Sequence, residues 1–135
     1  MLEHVAIWTH QLEKMKDFYV KYFDAVPNAK YISKNPLRAH FESYFLTFES
    51  SARLELMEMM TIPAGDNADG FETTGLTHLA FAVGSKTEVD KLFARLKQDG
   101  HRLVLDPHMT GDGYYEACIL DPDGNRLEII MSPAP

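Results

Sequence analysis

One pattern recurs along this chain and limits the folds open to it. Arg53-Leu54-Glu55-Leu56-Met57 reproduces Arg126-Leu127-Glu128-Ile129-Ile130 at an offset of 73. Leu2-Glu3-His4-Val5-Ala6-Ile7 resembles Leu76-Thr77-His78-Leu79-Ala80-Phe81 at an offset of 74. Two matches in the same order, at nearly the same offset, argue for an internal duplication. Each match sets one polar, metal-competent side chain in an otherwise apolar strand. Such a group is costly to bury unless it is paired or ligates an ion. A single strand glutamate reads most simply as solvent-facing; two His and two Glu in equivalent places do not.

The second Glu follows a strong turn signal. Asp121-Pro122-Asp123-Gly124-Asn125 lies between the apolar runs Tyr115–Leu120 and Leu127–Met131. Pro sets φ, Gly accepts positive φ, and Asp and Asn bond their own backbone. The pattern predicts a hairpin with a five-residue loop. Its register sets Cys118 opposite Glu128 on one face, as Phe45 would stand opposite Glu55 in the first half. Cys118 reads equally as a small buried hydrophobe that fills a gap.

The remaining chain supplies two similar sets of elements. Glu3–Thr9 reads as a strand with His4, Ala6 and Trp8 on one face and Val5 and Ile7 on the other. Gln11–Phe23 has helical spacing, with Leu12, Met15, Phe18, Tyr19, Tyr22 and Phe23 on its apolar stripe, and Pro27 ends the helical region. His10 reads as an exposed residue at the helix start. Lys30–His40 is irregular, carrying Lys30, Lys34, Arg38 and His40 and no acid. It is either a solvated loop or an anion-attracting rim. Ser43–Glu49 and Arg53–Met59 read as strands joined at Ser50-Ser51.

Residues 61–75 are polar and turn-rich and read as a linker between module 1–60 and module 76–132. Leu76–Val83 is then a strand with His78, Ala80 and Ala82 on one face. Glu88–Gln98 is a helix capped by Ser85 and stopped by Gly100. A strand at Arg102–Asp106, a loop at Gly111–Gly113 and the hairpin complete it. The expected fold class is α+β: two tandem βαβββ modules, each an antiparallel-rich mixed sheet curved around a metal cavity. The small residues Ala6, Ala80 and Ala82 on the His faces leave space for a pocket.

Composition narrows the function. A net charge of −7 over 135 residues argues against nucleic acid as a partner. No apolar run approaches about 18 residues, which argues against a membrane-spanning helix, and the N-terminus has no secretory pattern. The single Cys118 excludes an intrachain disulfide and fits a reducing cytoplasm. Two imidazoles with two carboxylates suit Ni²⁺, Zn²⁺, Mn²⁺, Co²⁺ or Fe²⁺ better than Ca²⁺. Four such ligands leave neighbouring positions for two substrate oxygens and support Lewis-acid chemistry.

The two βαβββ halves, the His4/Glu55/His78/Glu128 set and the Asp121-Pro122-Asp123-Gly124 turn resemble the vicinal oxygen chelate superfamily over nearly the whole of residues 1–135. Its members include glyoxalase I, methylmalonyl-CoA epimerases, fosfomycin thiol transferases, extradiol dioxygenases and metal-free bleomycin-binding proteins. Two His with two Glu is similar to the glyoxalase I pattern. The resemblance implies one divalent ion, with Ni or Zn foremost, held by His4, Glu55, His78 and Glu128. It implies a lactoylglutathione lyase-like isomerase acting by proton transfer next to a carbonyl, with Glu128 as base and Glu55 as the second carboxylate. It also implies a small-molecule substrate, a thiol adduct among the forms it can take, and a homodimer that shares the site. Trp8, Phe45, Met57 and Cys118 would line the substrate pocket. The chain departs from glyoxalase I at Trp8, where that family carries the arginine that holds the glutathione carboxylate. The alternatives are a non-catalytic small-molecule or antibiotic-binding protein, and an enzyme like the fosfomycin transferases or dioxygenases.

Overall fold

The computed structural model describes residues 1–50, 52–65 and 74–133. Residues 1–66 and 67–135 form two compact units. Most of the expected linker, residues 66–73, lies outside the described residues, as does Ser51 of the expected Ser50-Ser51 turn. Each unit is one helix on one mixed sheet, so the fold is α+β with two βαβββ modules.

In the first unit the order is β1 (His4–Trp8), α1 (Leu12–Phe23), β2 (Val26–Pro27), β3 (Tyr31–Ile32), β4 (Glu42–Thr47) and β5 (Arg53–Glu58). The strands run β1-β5-β4-β2 across the sheet, with β3 also on β4. Strand β1 pairs parallel with β5, and β4 pairs antiparallel with it. The second unit repeats this frame with β6 (His78–Ala82), α2 (Lys86–Gln98), β7 (Leu103–Met109), β8 (Tyr115–Leu120) and β9 (Arg126–Ile130). Its order is β6-β9-β8-β7, again with the first strand parallel to the last.

Alternation along the strands decides which face each helix covers. Leu54 and Leu56 on β5, and Leu127 and Ile129 on β9, are buried. Helix α1 buries Leu12, Met15, Phe18, Tyr19 and Tyr22, and α2 buries Val89, Phe93 and Leu96. Burying each such aliphatic side chain stabilises the fold by roughly 1.5–3 kcal/mol. The opposite face carries His4, Ala6 and Trp8, and likewise His78, Ala80 and Ala82, all exposed.

Several boundaries differ from the sequence expectation, each for a local reason. Helix α1 ends when Asp24 turns left-handed (φ 53°), three residues before Pro27. Helix α2 begins at Lys86, two residues before the expected Glu88. Ser85 and Glu88 form a reciprocal capping box there, and the Ser85 N–H donates to Glu88 Oε2 at 2.6 Å. The Lys30–His40 stretch is only partly irregular: Tyr31–Ile32 pairs with β4, and Pro36–Arg38 makes a single 3₁₀ turn. Together β2 and β3 are a broken counterpart of β7 on the outer edge of β4. Asn28 bridges the break, donating its N–H to Phe45 O (3.0 Å) and accepting the Phe45 N–H on Oδ1 (2.8 Å).

Strand β7 runs past Asp106 to Met109, because Pro107 lies on an edge strand where its missing N–H costs no ladder bond. Its register shifts between Leu103 and Leu105 and again between Leu105 and His108. His10 is exposed as expected, and its Nε2 lies 2.6 Å from Ile62 O, tying the chain after β5 to the start of α1. Among the described residues no helix is long and apolar enough to cross a membrane.

The turn between β8 and β9 is held by one side chain. Asp121 is 2% exposed. Its Oδ1 accepts the N–H groups of Asp123 and Asn125, both at 2.9 Å, and its Oδ2 accepts Asn125 Nδ2 at 2.8 Å. Gly124 follows at φ 84°, and its N–H donates to Asp121 O at 3.0 Å. Asp121→Ala would leave buried donors without acceptors and is expected to cost about 2–4 kcal/mol. Asp121→Asn, which keeps one acceptor, should cost less. Urea unfolding of both variants checks this, and equal losses would mean that the carboxylate does not organise the turn.

Candidate metal centre

Parallel pairing fixes the candidate ligands. Ala6 is the register partner of Glu55, and Ala80 that of Glu128. His4 and His78 each stand two residues before those alanines, on the same face. His4 Nε2 lies 3.7 Å from Glu55 Oε2, and His78 Nε2 lies 3.1 Å from Glu128 Oε2. Ligand atoms about 2.1 Å from one ion lie about 3.0 Å apart at a right angle and about 3.4 Å apart at the tetrahedral angle. The 3.1 Å pair matches the right-angle spacing and so fits two neighbouring positions on a divalent ion; the 3.7 Å pair is wider than the tetrahedral spacing by about 0.3 Å and comes close to that fit. Within either unit, no third His, Cys, Asp or Glu among the described residues completes a group able to hold an ion. Each half thus offers two ligands, not four.

The first pair is oriented by a residue the sequence reading passed over. Glu3 Oε2 contacts His4 Nδ1, while Glu3 Oε1 accepts from Arg53, whose Nε lies 2.7 Å away. A carboxylate on Nδ1 favours the tautomer that leaves the Nε2 lone pair free. The hydrogen bond with His4 is the main cause that holds Glu3 below its ordinary carboxylate pKa, with Arg53 adding to it. Glu3 directly precedes the repeated His, and that adjacency was the signal available in the sequence. The second half has Thr77 there instead.

The expected lining residues fall on the same faces as the pairs. Phe45 is the partner of Glu55, and its ring meets the His4 ring edge-on, with centroids 5.3 Å apart. Met57 is the partner of Trp8. Cys118 is the partner of Glu128, as the hairpin register required, and is a buried free thiol. Burial pushes its pKa up, and the nearby Arg126 opposes that shift only in part. The repeated arginines behave alike: Arg53 lies over the Phe45 ring at 4.3 Å, and Arg126 Nη1 is 3.8 Å from Cys118 Sγ. In both halves the arginine packs on the residue opposite the glutamate.

Two further polar residues share the face of the second half. Glu116 and His108 are cross-strand partners, and Glu116 lies two residues before Cys118. The alternation that sets Cys118 opposite Glu128 was the signal for Glu116, which the sequence reading passed over; His108 lay beyond the expected strand end at Asp106. The first-half position opposite Met57, which matches Glu116 opposite Ile130, is the buried Ser43. Burial raises the Glu116 pKa above its ordinary value, and the charge of Glu128 raises it further. A carboxyl raised on folding favours the folded state below its unfolded pKa, about 4.3, and that contribution is lost as pH rises through the folded pKa. Glu116→Gln is therefore expected to raise the Tm of the chelator-treated protein at pH 7. The gain should vanish below about pH 4. An equal change at both pH values would show that Glu116 sits unstrained.

Comparison with known proteins bears on the family and the fold. The sequence model of the Glyoxalase/Bleomycin resistance protein/Dioxygenase superfamily matches residues 1–129. A curated relative, the uncharacterized protein YqjT of Bacillus subtilis, is 37% identical over 59 residues, which make up 42% of this chain and 46% of that protein. A glyoxalase family protein from Enterococcus faecalis superposes with a TM-score of 0.73 at 26% identity, covering 96% of both chains. A lactoylglutathione lyase from Agrobacterium tumefaciens superposes with a TM-score of 0.65 at 21% identity, covering 98% of this chain and 93% of that one; the likeness is one of fold.

Proposed function

We propose, for a chain that belongs to the Glyoxalase/Bleomycin resistance protein/Dioxygenase superfamily, a metal-dependent isomerase or lyase that moves a proton next to a carbonyl. The observation that carries this is the approach of His to Glu at equivalent strand positions in both halves, 3.1 Å in the second, as for two adjacent ligands of one ion, and slightly wider at 3.7 Å in the first. His4, Glu55, His78 and Glu128 would together hold a single divalent ion, Ni²⁺ or Zn²⁺ foremost. The two pairs come from one chain or from the two chains of a homodimer; we favour the dimer, on the family resemblance. The lactoylglutathione lyase and glyoxalase neighbours support the reaction class.

The roles follow from the side chains. His4 and His78 turn Nε2 toward Glu55 and Glu128, and Glu3 contacts His4 on its other ring nitrogen. A divalent ion there supplies Lewis-acid stabilisation of negative charge on substrate oxygens. Glu128 takes the proton from the carbon beside the carbonyl. Glu128 then returns that proton to the neighbouring carbon, with Glu55, in the matching position of the first half, as the second carboxylate. Ala6, Ala80 and Ala82 leave the strand faces open for the substrate.

Protein purified without chelator is expected to carry a divalent ion that His4→Ala and His78→Ala each remove. Glu128→Gln should lower turnover by about 100-fold or more on whichever substrate of a panel of thiol hemithioacetals and 2-oxo compounds is processed. Protein that stays metal-free when offered Ni²⁺, Zn²⁺ and Mn²⁺ would end the enzyme reading. Full activity in Glu128→Gln would show that another group is the base. Sedimentation that finds only monomer at micromolar concentration would count against a shared site.

One observation favours a second reading. Trp8 stands where glyoxalase I carries arginine, and an indole cannot make a bidentate carboxylate contact. A non-catalytic binder of small aromatic molecules on the same fold would show tight ligand binding with no turnover by any member of the panel.

A further inference from the structure

Strand β1 leads from His4 through Ala6 to Trp8 on one face, and Trp8 is 37% exposed there. A rise of about 3.3 Å per residue places Trp8 roughly 13 Å along the strand from His4, with only Ala6 between them on that face. The indole meets Phe41 edge-on, with centroids 5.9 Å apart at 83°. Phe41 is buried at 7% exposure and serves as a hub. Tyr31, 55% exposed, meets it from β3 at 6.1 Å, and the Arg38 guanidinium lies 4.3 Å above its ring. The 3₁₀ turn holds Arg38 in place: Arg38 N–H donates to Asn35 O, and Phe41 N–H donates to Arg38 O, both at 3.0 Å.

The charge around this cluster is unbalanced. Residues 30–41 contain Lys30, Lys34, Arg38 and His40 and no acid. Lys30 is neutralised by Glu13 at 2.9 Å and Glu42 at 2.8 Å. Among the described residues Arg38 and Lys34 form no ion pair. The cluster therefore offers two exposed ring surfaces beside a guanidinium that has a ring behind it and no carboxylate in front. A guanidinium so placed pairs with a planar carboxylate in two parallel hydrogen bonds.

We infer that Trp8, Tyr31 and Arg38 form a specificity site for a small carboxylate that bears an aromatic ring, the ring lying against Trp8 and Tyr31 and the carboxylate on Arg38. This rests on the proposed function only in making that molecule the substrate of the neighbouring His4–Glu55 site; binding itself needs no ion.

The chain has one tryptophan, so Trp8 reports its own occupancy. Titrate the chelator-treated protein with 3-phenylpropionate, with propionate and with 3-phenylpropionamide, and follow Trp8 emission. Saturable binding of 3-phenylpropionate is expected, with the other two at least about tenfold weaker, a difference of about 1.4 kcal/mol. Arg38→Met keeps the stem on Phe41 and should weaken 3-phenylpropionate about tenfold while leaving the amide unchanged. Tyr31→Ala should weaken the ring-bearing probes and spare the fold, since Tyr31 is exposed. Equal affinity for acid and amide, an unchanged Kd in Arg38→Met, or no response at millimolar probe would each overturn the inference. So would emission that follows protein concentration and not probe, which would assign the patch to a contact between copies. Because these titrations contain no metal, their failure leaves the metal site standing, and loss of the metal site leaves them interpretable.

Discussion

The parallel ladder that joins the first and last strand of each half positions everything else on the two sheets. A parallel pair cannot be closed by a tight turn and needs a long crossover, which here runs through the helix and the antiparallel strands. The ladder places Ala6 beside Glu55 and Ala80 beside Glu128, and so brings each His to the Glu of the same half. Because side chains alternate with a period of two, a one-residue slip would turn His and Glu toward the helix and the leucines toward solvent. The buried Leu54, Leu56, Leu127 and Ile129 oppose that slip, so apolar burial on one face sets the register of the polar groups on the other.

This coupling explains why so much was legible in the sequence. The repeated Arg-Leu-Glu and the repeated His carry both the alternation and the ligand set in a few residues. The register of the last hairpin followed from five turn residues, and Asp121 shows why: one buried carboxylate gathers the N–H groups that the turn leaves over. The broken edge strand was harder to see. Val26–Pro27 and Tyr31–Ile32 are too short to show a period, and the bonds that join them run through the Asn28 side chain. The extension of β7 to Met109 was hidden by Pro107, which sequence patterns read as a strand end unless the strand is known to be an edge. Glu3 and Glu116 were missed because a repeat draws the eye to what is equal in the two halves, and both residues are unequal.

That inequality is where the halves part chemically. Each supplies one imidazole and one carboxylate from an equivalent frame. Around the first pair stand Glu3, which grips His4 and Arg53, and Phe45, whose ring abuts the imidazole. Around the second stand Cys118, Glu116 and His108. The first pair is braced by a fixed carboxylate, whereas the second has ionisable neighbours and lies where Glu116 and Glu128 feel each other's charge. This difference in surroundings is the reason we propose Glu128 as the leading base and Glu55 as the second carboxylate.

The same logic extends to the edge strands. On the outer edge of β4 the chain breaks into the short β2 and β3, and the turn that follows β3 carries Arg38 to the buried Phe41 ring beside Trp8. On the outer edge of β8 the chain continues unbroken through β7 and adds His108 to the face instead. An unbroken strand contributes only alternate side chains at fixed spacing, whereas a broken one can bring a residue in from a loop. The duplicated core therefore constrains the ligand geometry tightly, while the edges are free to differ. The first edge is built of aromatic rings and an uncompensated cation, in a chain whose net charge is −7. In such a chain a local excess of positive charge beside an open strand face favours anions there, and within the basic segment that excess comes from Arg38 and Lys34, since Lys30 is already held by Glu13 and Glu42.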